Sequence, residues 1–183
     1  MSTPLYIANV GDNRAIVIKQ SECNYKWLHD ECLSRDHKPD EKDDEALRIV
    51  RFGERIDQFK DREGKCVGPL RIWLGKENIP GHAMTRSFGD QLAVTVGVIC
   101  EPEVKECFVK EEDKCIVIAS DGLWEYVSNE QCADIAREYY GNNVMREELT
   151  EVLYREAKKK WKEYDVNVDD ITIIVVELWG MKV

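Results

Sequence analysis

Two short apolar and β-branched runs open the chain, at residues 5–10 and 14–18, with Gly11, Asp12 and Asn13 between them. That spacing predicts a β-hairpin with Asp12 at its tip. From residue 40 to 52 the period lengthens: Asp40 can cap, acidic residues fill the first turns, Ala46, Ile49 and Val50 share a face, and Gly53 can terminate. This segment reads as a helix. Gly64, Gly68, Pro69, Gly75, Pro80 and Gly81 then interrupt residues 55–82, leaving room for short strands and loops in the least regular part of the chain. Residues 114–120, KCIVIAS, form a continuous apolar run that ends at Asp121 and Gly122, the pattern of a buried strand that delivers a carboxylate at its end. Ser128 and Gln131 make a capping box, and Cys132, Ile135, Ala136 and Tyr139 follow at helical spacing up to Gly141. Leu149, Val152, Leu153, Ala157 and Trp161 mark a third helix. Its other face carries Arg155, Lys158, Lys159, Lys160 and Lys162 and reads as a solvated surface. Residues 171–178, ITIIVVEL, are dense in β-branched side chains and predict a central, well-buried strand, preceded directly by Asp169 and Asp170. Strands packed as sheets with helices outside give an α+β class, and no internal repeat is present.

Length and composition narrow this picture. At 183 residues, 43% hydrophobic and 34% charged, the chain suits one domain with a sizeable core and not a disordered tail. A formal charge of -10 repels a phosphate backbone, which makes nucleic acid an unpromising partner. No apolar run approaches the roughly 20 residues needed to span a bilayer, and residues 1–9 lack the basic start and apolar core of a signal peptide. A cytosolic or nuclear location and no membrane partner are the expectations. The seven cysteines are odd in number, scattered and never spaced as CxxC, so they read as reduced thiols. Cys23, His29, Cys32 and His37 fall close enough together to be weighed as a Cys2His2 zinc site. Their spacing matches no common zinc module, and cysteine is often buried simply as a small apolar side chain.

Candidate chemistry lies in the aspartates beside glycines and strand ends: Asp12, Asp90, Asp121, and Asp169 with Asp170. Each alone is a common turn residue. Together they offer a hard, oxygen-only ligand set suited to Mg2+ or Mn2+. In an acidic protein such ions would provide the positive charge that a phosphate dianion requires. No GxSxG elbow, Cys-x5-Arg phosphate cradle or P-loop is present, which removes several other hydrolase and kinase readings.

Six strings carry a resemblance. YIANVGDNRAIV, LSRDHKP followed by Glu45 and Arg48-Ile49, AMTRSFGD, EPEV, ASDGLWEYVS and DDITIIVV resemble, in order and spacing, successive motifs of the metal-dependent type 2C (PPM) serine/threonine protein phosphatases, over residues 5–178. The resemblance implies a β-sandwich of two antiparallel sheets with helices on the outer faces (α-β-β-α), here in a partial, C-terminal version occupying residues 1–183 as one domain. It implies hydrolysis of phosphoserine and phosphothreonine in phosphoprotein substrates with two or more Mg2+ or Mn2+ ions. By the same resemblance Asp121 and Asp169 are metal ligands, and Asp12 and Glu125 contribute to a third, weaker metal site. Arg86 is then a substrate-side residue beside a flap formed by residues 55–82.

The chain departs from the family pattern in several places. Glu125 stands where many members have Asp, Asp170 replaces the usual Asn, and Asn13 replaces Ser. The family's N-terminal half carries a phosphate-binding Arg, an early Glu ligand, and an Asp-Gly-His-Gly motif with a bridging aspartate and the general acid, none of which occurs in this sequence. A half-built site should hold metal weakly, and no catalytic acid is expected within the chain, so the fragment alone is expected to be inactive and to self-associate through open sheet edges. The competing expectation is a pseudophosphatase or regulatory binding module that uses the basic helix face.

Overall fold

The computed structural model describes residues 4–20, 27–29, 32–39, 44–141, 148–164 and 167–178. In chain order the elements are β1 (Pro4–Asn9), β2 (Arg14–Gln20), β3 (Trp27–His29), α1 (Asp44–Arg51), β4 (Arg55–Lys60), β5 (Cys66–Trp73), β6 (Pro80–His82), α2 (Gln91–Thr95), β7 (Glu103–Phe108), β8 (Asp113–Ala119), α3 (Asp121–Trp124), α4 (Asn129–Gly141), α5 (Leu149–Tyr164) and β9 (Ile173–Glu177). The fold is α+β, with antiparallel sheets flanked by helices. No helix among the described residues is long and apolar enough to cross a membrane.

Backbone contacts divide the chain into two compact units. The first comprises residues 1–8, 13–35 and 104–183. Its four-stranded sheet runs β3-β2-β8-β9, and a two-stranded sheet joins β1 to β7. Strand β2 pairs antiparallel with β8 from Arg14↔Ala119 to Ile18↔Cys115, and β8 pairs antiparallel with β9 from Ala119↔Ile173 to Cys115↔Glu177. Pleating sends Ile16, Ile18, Cys115, Val117 and Ala119 to one face, where Leu123, Trp124, Cys132, Ala136, Leu153 and Ala157 of α3, α4 and α5 close a core. The opposite face, with Ala15, Val17 and Ile116, packs against Leu5, Ile7 and Cys107 from β1 and β7. Covered on both sides, β2 is buried at four consecutive positions, which explains why its sequence reads as an unbroken apolar run.

Helix α4 begins as its sequence requires. The Ser128 N–H donates to Gln131 Oε1 at 3.1 Å and the Gln131 N–H donates to Ser128 Oγ at 3.2 Å, the reciprocal capping box. Lys160 of α5 donates to the same Gln131 Oε1 at 2.7 Å and to the Tyr126 carbonyl at 2.8 Å. Part of the basic face is thus spent inside the unit.

The second unit comprises residues 9–12 and 36–103. Strands β4, β5 and β6 form a three-stranded antiparallel sheet, and Ile49 of α1 packs with Ile72, Ala93, Val96 and Val98. Gly81 has φ 71°, and a Cβ there would lie 2.7 Å from the Trp73 ring, so this position accepts only glycine.

The structure corrects three sequence-based expectations. Strands β1 and β2 do not form a hairpin: β1 pairs with β7, whereas β2 pairs with β3 and β8. Local turn signals could not reveal this, because the partners of β2 in the sheet are set by packing on both its faces. Residues 55–82 are more regular than their glycines suggest. Asp61 Oδ1 accepts from the Glu63 and Lys65 amides at 2.9 Å and closes the β4–β5 turn, so Gly64 serves a hairpin rather than breaking one. Strand β9 lies at the end of the sheet rather than in its centre, with Ile174 52% and Val176 40% exposed. Only its Ile173 and Val175 face meets the helical core. The start of the helix expected over residues 40–52 lies partly outside the described residues, which place α1 at Asp44–Arg51.

Candidate functional site

In the first unit, antiparallel pairing of β8 with β9 brings the exit of one strand beside the entry of the other. Past the last pair, Ala119↔Ile173, the two chains stay in register through a polar clasp. The Ser120 N–H donates to the Thr172 carbonyl at 3.1 Å, Ser120 Oγ donates to the Asp170 carbonyl at 3.0 Å, and the Thr172 N–H donates back to Ser120 Oγ at 3.1 Å. Gly122 completes the contact. A Cβ on it would sit 2.3 Å from the Asp170 carbonyl oxygen, so only glycine lets the two backbones approach this closely. Asp121, at the first position of α3, and Asp169, just before β9, therefore stand on adjoining segments at one end of the sheet.

Two indoles hold this rim in place from below. Trp124 Nε1 is shared between the carbonyls of Arg14 at 3.1 Å and Ala119 at 3.0 Å, and Trp161 Nε1 donates to the Gly122 carbonyl at 2.7 Å. The Arg14 guanidinium lies 5.4 Å above the Trp124 ring. The Asp170 N–H donates to Asp169 Oδ1 at 2.7 Å, which leaves Asp169 Oδ2 as the oxygen to offer a ligand. Glu125 is exposed at the end of α3, with its amide on the Asp121 carbonyl at 2.9 Å.

Asp12 and Arg86 belong to the second unit. Asp12 follows Gly11, whose φ of 107° requires glycine, and its Oδ2 lies 3.9 Å from Lys38 Nζ. Arg86 is engaged by Glu45: its Nη2 donates to Glu45 Oε1 at 2.6 Å, its Nε to Oε2 at 3.1 Å, and its Nη1 to the Glu101 carbonyl at 2.8 Å. Glu45 Oε2 also accepts from Arg48 Nη2 at 3.0 Å and lies 2.8 Å from Thr85 Oγ1. Arg48 in turn donates to the Gly97 and Thr85 carbonyls. Burial alone would push the Glu45 carboxyl up, but the donors from Arg86, Thr85 and Arg48 outweigh it and hold the carboxyl at about 2. Sequence reasoning quoted Glu45 within a motif and gave it no role. Its signal is the acidic residue on the buried face of an amphipathic helix, since Glu45 is only 3% exposed.

Among the described residues no three His, Cys, Asp or Glu side chains converge in a group ready to hold a metal. The Asp121 and Asp169 pair fits a hard, hydrated ion of the Mg2+ or Mn2+ kind, which is commonly held by one or two carboxylates with water completing its shell. It does not form a closed protein cage. The zinc combination finds no support: Cys32 Sγ accepts from Asn129 Nδ2 at 2.9 Å and His37 Nδ1 accepts from the Gly11 N–H, while Cys23 and the His29 side chain lie outside the described residues. The six described cysteines are free thiols. A separate cavity of about 210 Å³ opens between the two sheets of the first unit, lined by Leu5, Val17, Leu33, Ile116 and Leu178 with Asp113 and Lys19 among its polar groups.

Comparison with known proteins places these observations. A family model described as protein phosphatase 2C matches residues 1–165. A probable protein phosphatase 2C 12 of Oryza sativa subsp. japonica is 43% identical over 131 residues, covering 72% of this chain and 32% of its own length. A probable protein phosphatase 2C 35 of Arabidopsis thaliana is 32% identical over 188 residues, covering 95% of the chain and 52% of itself. The crystal structure of a serine-threonine phosphatase 2C from Toxoplasma gondii superposes with a TM-score of 0.75 at 24% identity, over 95% of this chain and 54% of that one. The chain thus spans from about a third to about half the length of these proteins.

Proposed function

The chain belongs to the protein phosphatase 2C family, and we propose that the protein it forms hydrolyses phosphoserine and phosphothreonine in phosphoprotein substrates with Mg2+ or Mn2+. The observation that supports this reading is the backbone clasp between residues 120–122 and 170–172, which brings together the segments that carry Asp121 and Asp169. Bound there, the ions would supply Lewis-acid activation of water and positive charge for the phosphate dianion. The chain's own part is to hold and orient: Asp121 from the start of α3, Asp169 through the oxygen its neighbouring amide leaves open, and Asp12 and Glu125 as further, weaker metal contacts. Arg86 supports the substrate side as a rigid strut, because its guanidinium is already bound to Glu45.

Two carboxylates and no catalytic acid make the chain by itself a poor enzyme, and turnover by this polypeptide alone should be close to background. Its open β9 edge, where Ile174 and Val176 are exposed beside Ile118 of β8, favours self-association, which sedimentation at several concentrations would reveal. Cell fractionation would check a cytosolic or nuclear location. The regulatory-module alternative draws little support from the basic face of α5, where Lys160 is held by Tyr126 and Gln131 and Lys158 lies against Tyr154. The direct test uses a phosphothreonine peptide and a full-length protein that contains this chain. Manganese-dependent release of phosphate by that protein, lost in Asp121→Ala, is the expected result; release that survives both a chelator and that substitution would refute the proposal.

A further inference from the structure

His37 is fully buried, and the sequence pattern gave it no task except as a candidate zinc ligand. In the second unit it grips a single residue, Gly11, at both its backbone polar groups. The Gly11 N–H donates to His37 Nδ1 at 3.1 Å, and the His37 N–H donates to the Gly11 carbonyl at 3.0 Å. Asn9 Nδ2 adds a second donor to that carbonyl at 3.1 Å. Gly11, held in the left-handed region at φ 107°, is therefore fixed at both its polar groups, and the next side chain along the chain is Asp12. His37 is itself anchored. Its carbonyl accepts from the Thr85 N–H at 2.8 Å and lies 3.1 Å from Thr85 Oγ1, whose one proton can serve either this carbonyl or Glu45 Oε2.

The ring's protonation state follows from the same contacts. An Nδ1 that accepts from an amide carries no hydrogen, so in the neutral ring the proton sits on Nε2, which faces Glu103 Oε2 at 3.6 Å. Burial, together with the nearby Arg86 guanidinium, lowers the affinity of His37 for a second proton.

We propose that His37 is the positioning residue of Asp12: by accepting the Gly11 N–H at Nδ1 it fixes Gly11, the residue from which the chain presents the Asp12 carboxylate to a divalent cation. This rests on the reading of Asp12 as a metal contact. Partners that orient a ligand from behind typically change metal affinity by about 10–100-fold when removed.

Asparagine can place an acceptor near Nδ1, whereas glutamine reaches toward the Nε2 position, so the pair separates acceptor geometry from filled volume. The experiment titrates MnCl2 into the 15N-labelled chain and follows paramagnetic broadening of the Asp12 and Asp121 amide signals. Relative to wild type, the concentration that half-broadens Asp12 should rise at least about tenfold in His37→Gln and less than about threefold in His37→Asn, with Asp121 unchanged. Equal titration of the Gln variant and wild type, or equal loss in both variants, overturns the proposal. Broadening at Asp121 without any at Asp12 overturns it while leaving the phosphatase reading intact; broadening at neither overturns both. A variant that fails to fold leaves the decision to the wild-type chain. There a hydrogen-bond coupling between the Gly11 and His37 Nδ1 nitrogens is expected, and a proton found on Nδ1 refutes the assignment.

Discussion

The two units hold their candidate functional carboxylates in opposite ways. In the first, Asp121 and Asp169 are presented by shape: backbones meet at Gly122, and the indoles of Trp124 and Trp161 fix the rim from below. In the second, the polar contacts around Asp12 and Arg86 run through buried groups, with His37 and Glu45 as hubs. Each unit also buries a carboxylate of its own, and the pair shows that burial alone does not decide charge. Glu45 meets donors from Arg86, Arg48 and Thr85 and stays ionised. Asp113 takes the Lys110 amide at 2.8 Å on Oδ2, while Oδ1 has no hydrogen-bond partner and only Lys19 Nζ at 3.9 Å, and burial pushes its carboxyl up. The number of donors within hydrogen-bond reach, rather than depth, separates them.

Removing the charged hub should have the largest effect. Glu45→Ala leaves the Arg86 and Arg48 guanidinium groups partly buried without their counter-charge, and a loss of about 3–5 kcal/mol in urea unfolding is expected. A loss under about 1 kcal/mol would mean that solvent replaces the network easily. Gly122→Ala attacks the shape-based side. The new methyl meets the Asp170 carbonyl, which cannot move without pulling β9, so about 3 kcal/mol should be lost. Glu45→Ala should leave Asp121 and Asp169 amide shifts in place, whereas Gly122→Ala should move both.

A pH series sharpens the comparison. The folded-state carboxyl of Glu45 titrates at about 2, below its ordinary 4.5, so its contribution is complete above about pH 4.5 and is lost as pH falls toward 2. Asp113 is raised instead. The folded state then binds its proton more readily than the unfolded state, so stability declines as pH climbs from about 3.8 through the raised value. Asp113→Asn removes that penalty, and we expect a gain of about 1 kcal/mol at pH 7 that vanishes near pH 3, measured by thermal melting across the range. A destabilising result at pH 7 would show that the Lys19 contact outweighs the missing partner of Oδ1.

What the sequence could disclose depended on how far each interaction reached along the chain. The Ser128–Gln131 cap spans three residues and was legible, as was β8, whose burial from Cys115 to Val117 matches a continuous apolar run. The pairing of β1 with β7 joins residues about a hundred positions apart, as the Tyr6 hydroxyl on Glu106 illustrates, and no local turn signal encodes it. The edge position of β9 was misread because β-branched density reports a liking for extended backbone and says nothing about how many neighbours the strand will have. At the candidate site, the motif resemblance singled out Asp121 and Asp169, and the short strand-end patterns around them agreed. The polar hubs of the second unit stayed hidden. Glu45 and Arg86 are separated by 41 positions, and Gly11 and His37 by 26, so their partnership exists only once the second unit has closed.

The close approach at Gly122 has one more consequence. Because the segments bearing Asp121 and Asp169 touch through peptide planes, with no side chain interposed, their separation does not ride on the picosecond-to-nanosecond rotamer hopping that blurs sites assembled from long, flexible arms. The spacing of those two backbone segments is a property of the sheet itself and should persist unchanged while the surrounding surface fluctuates.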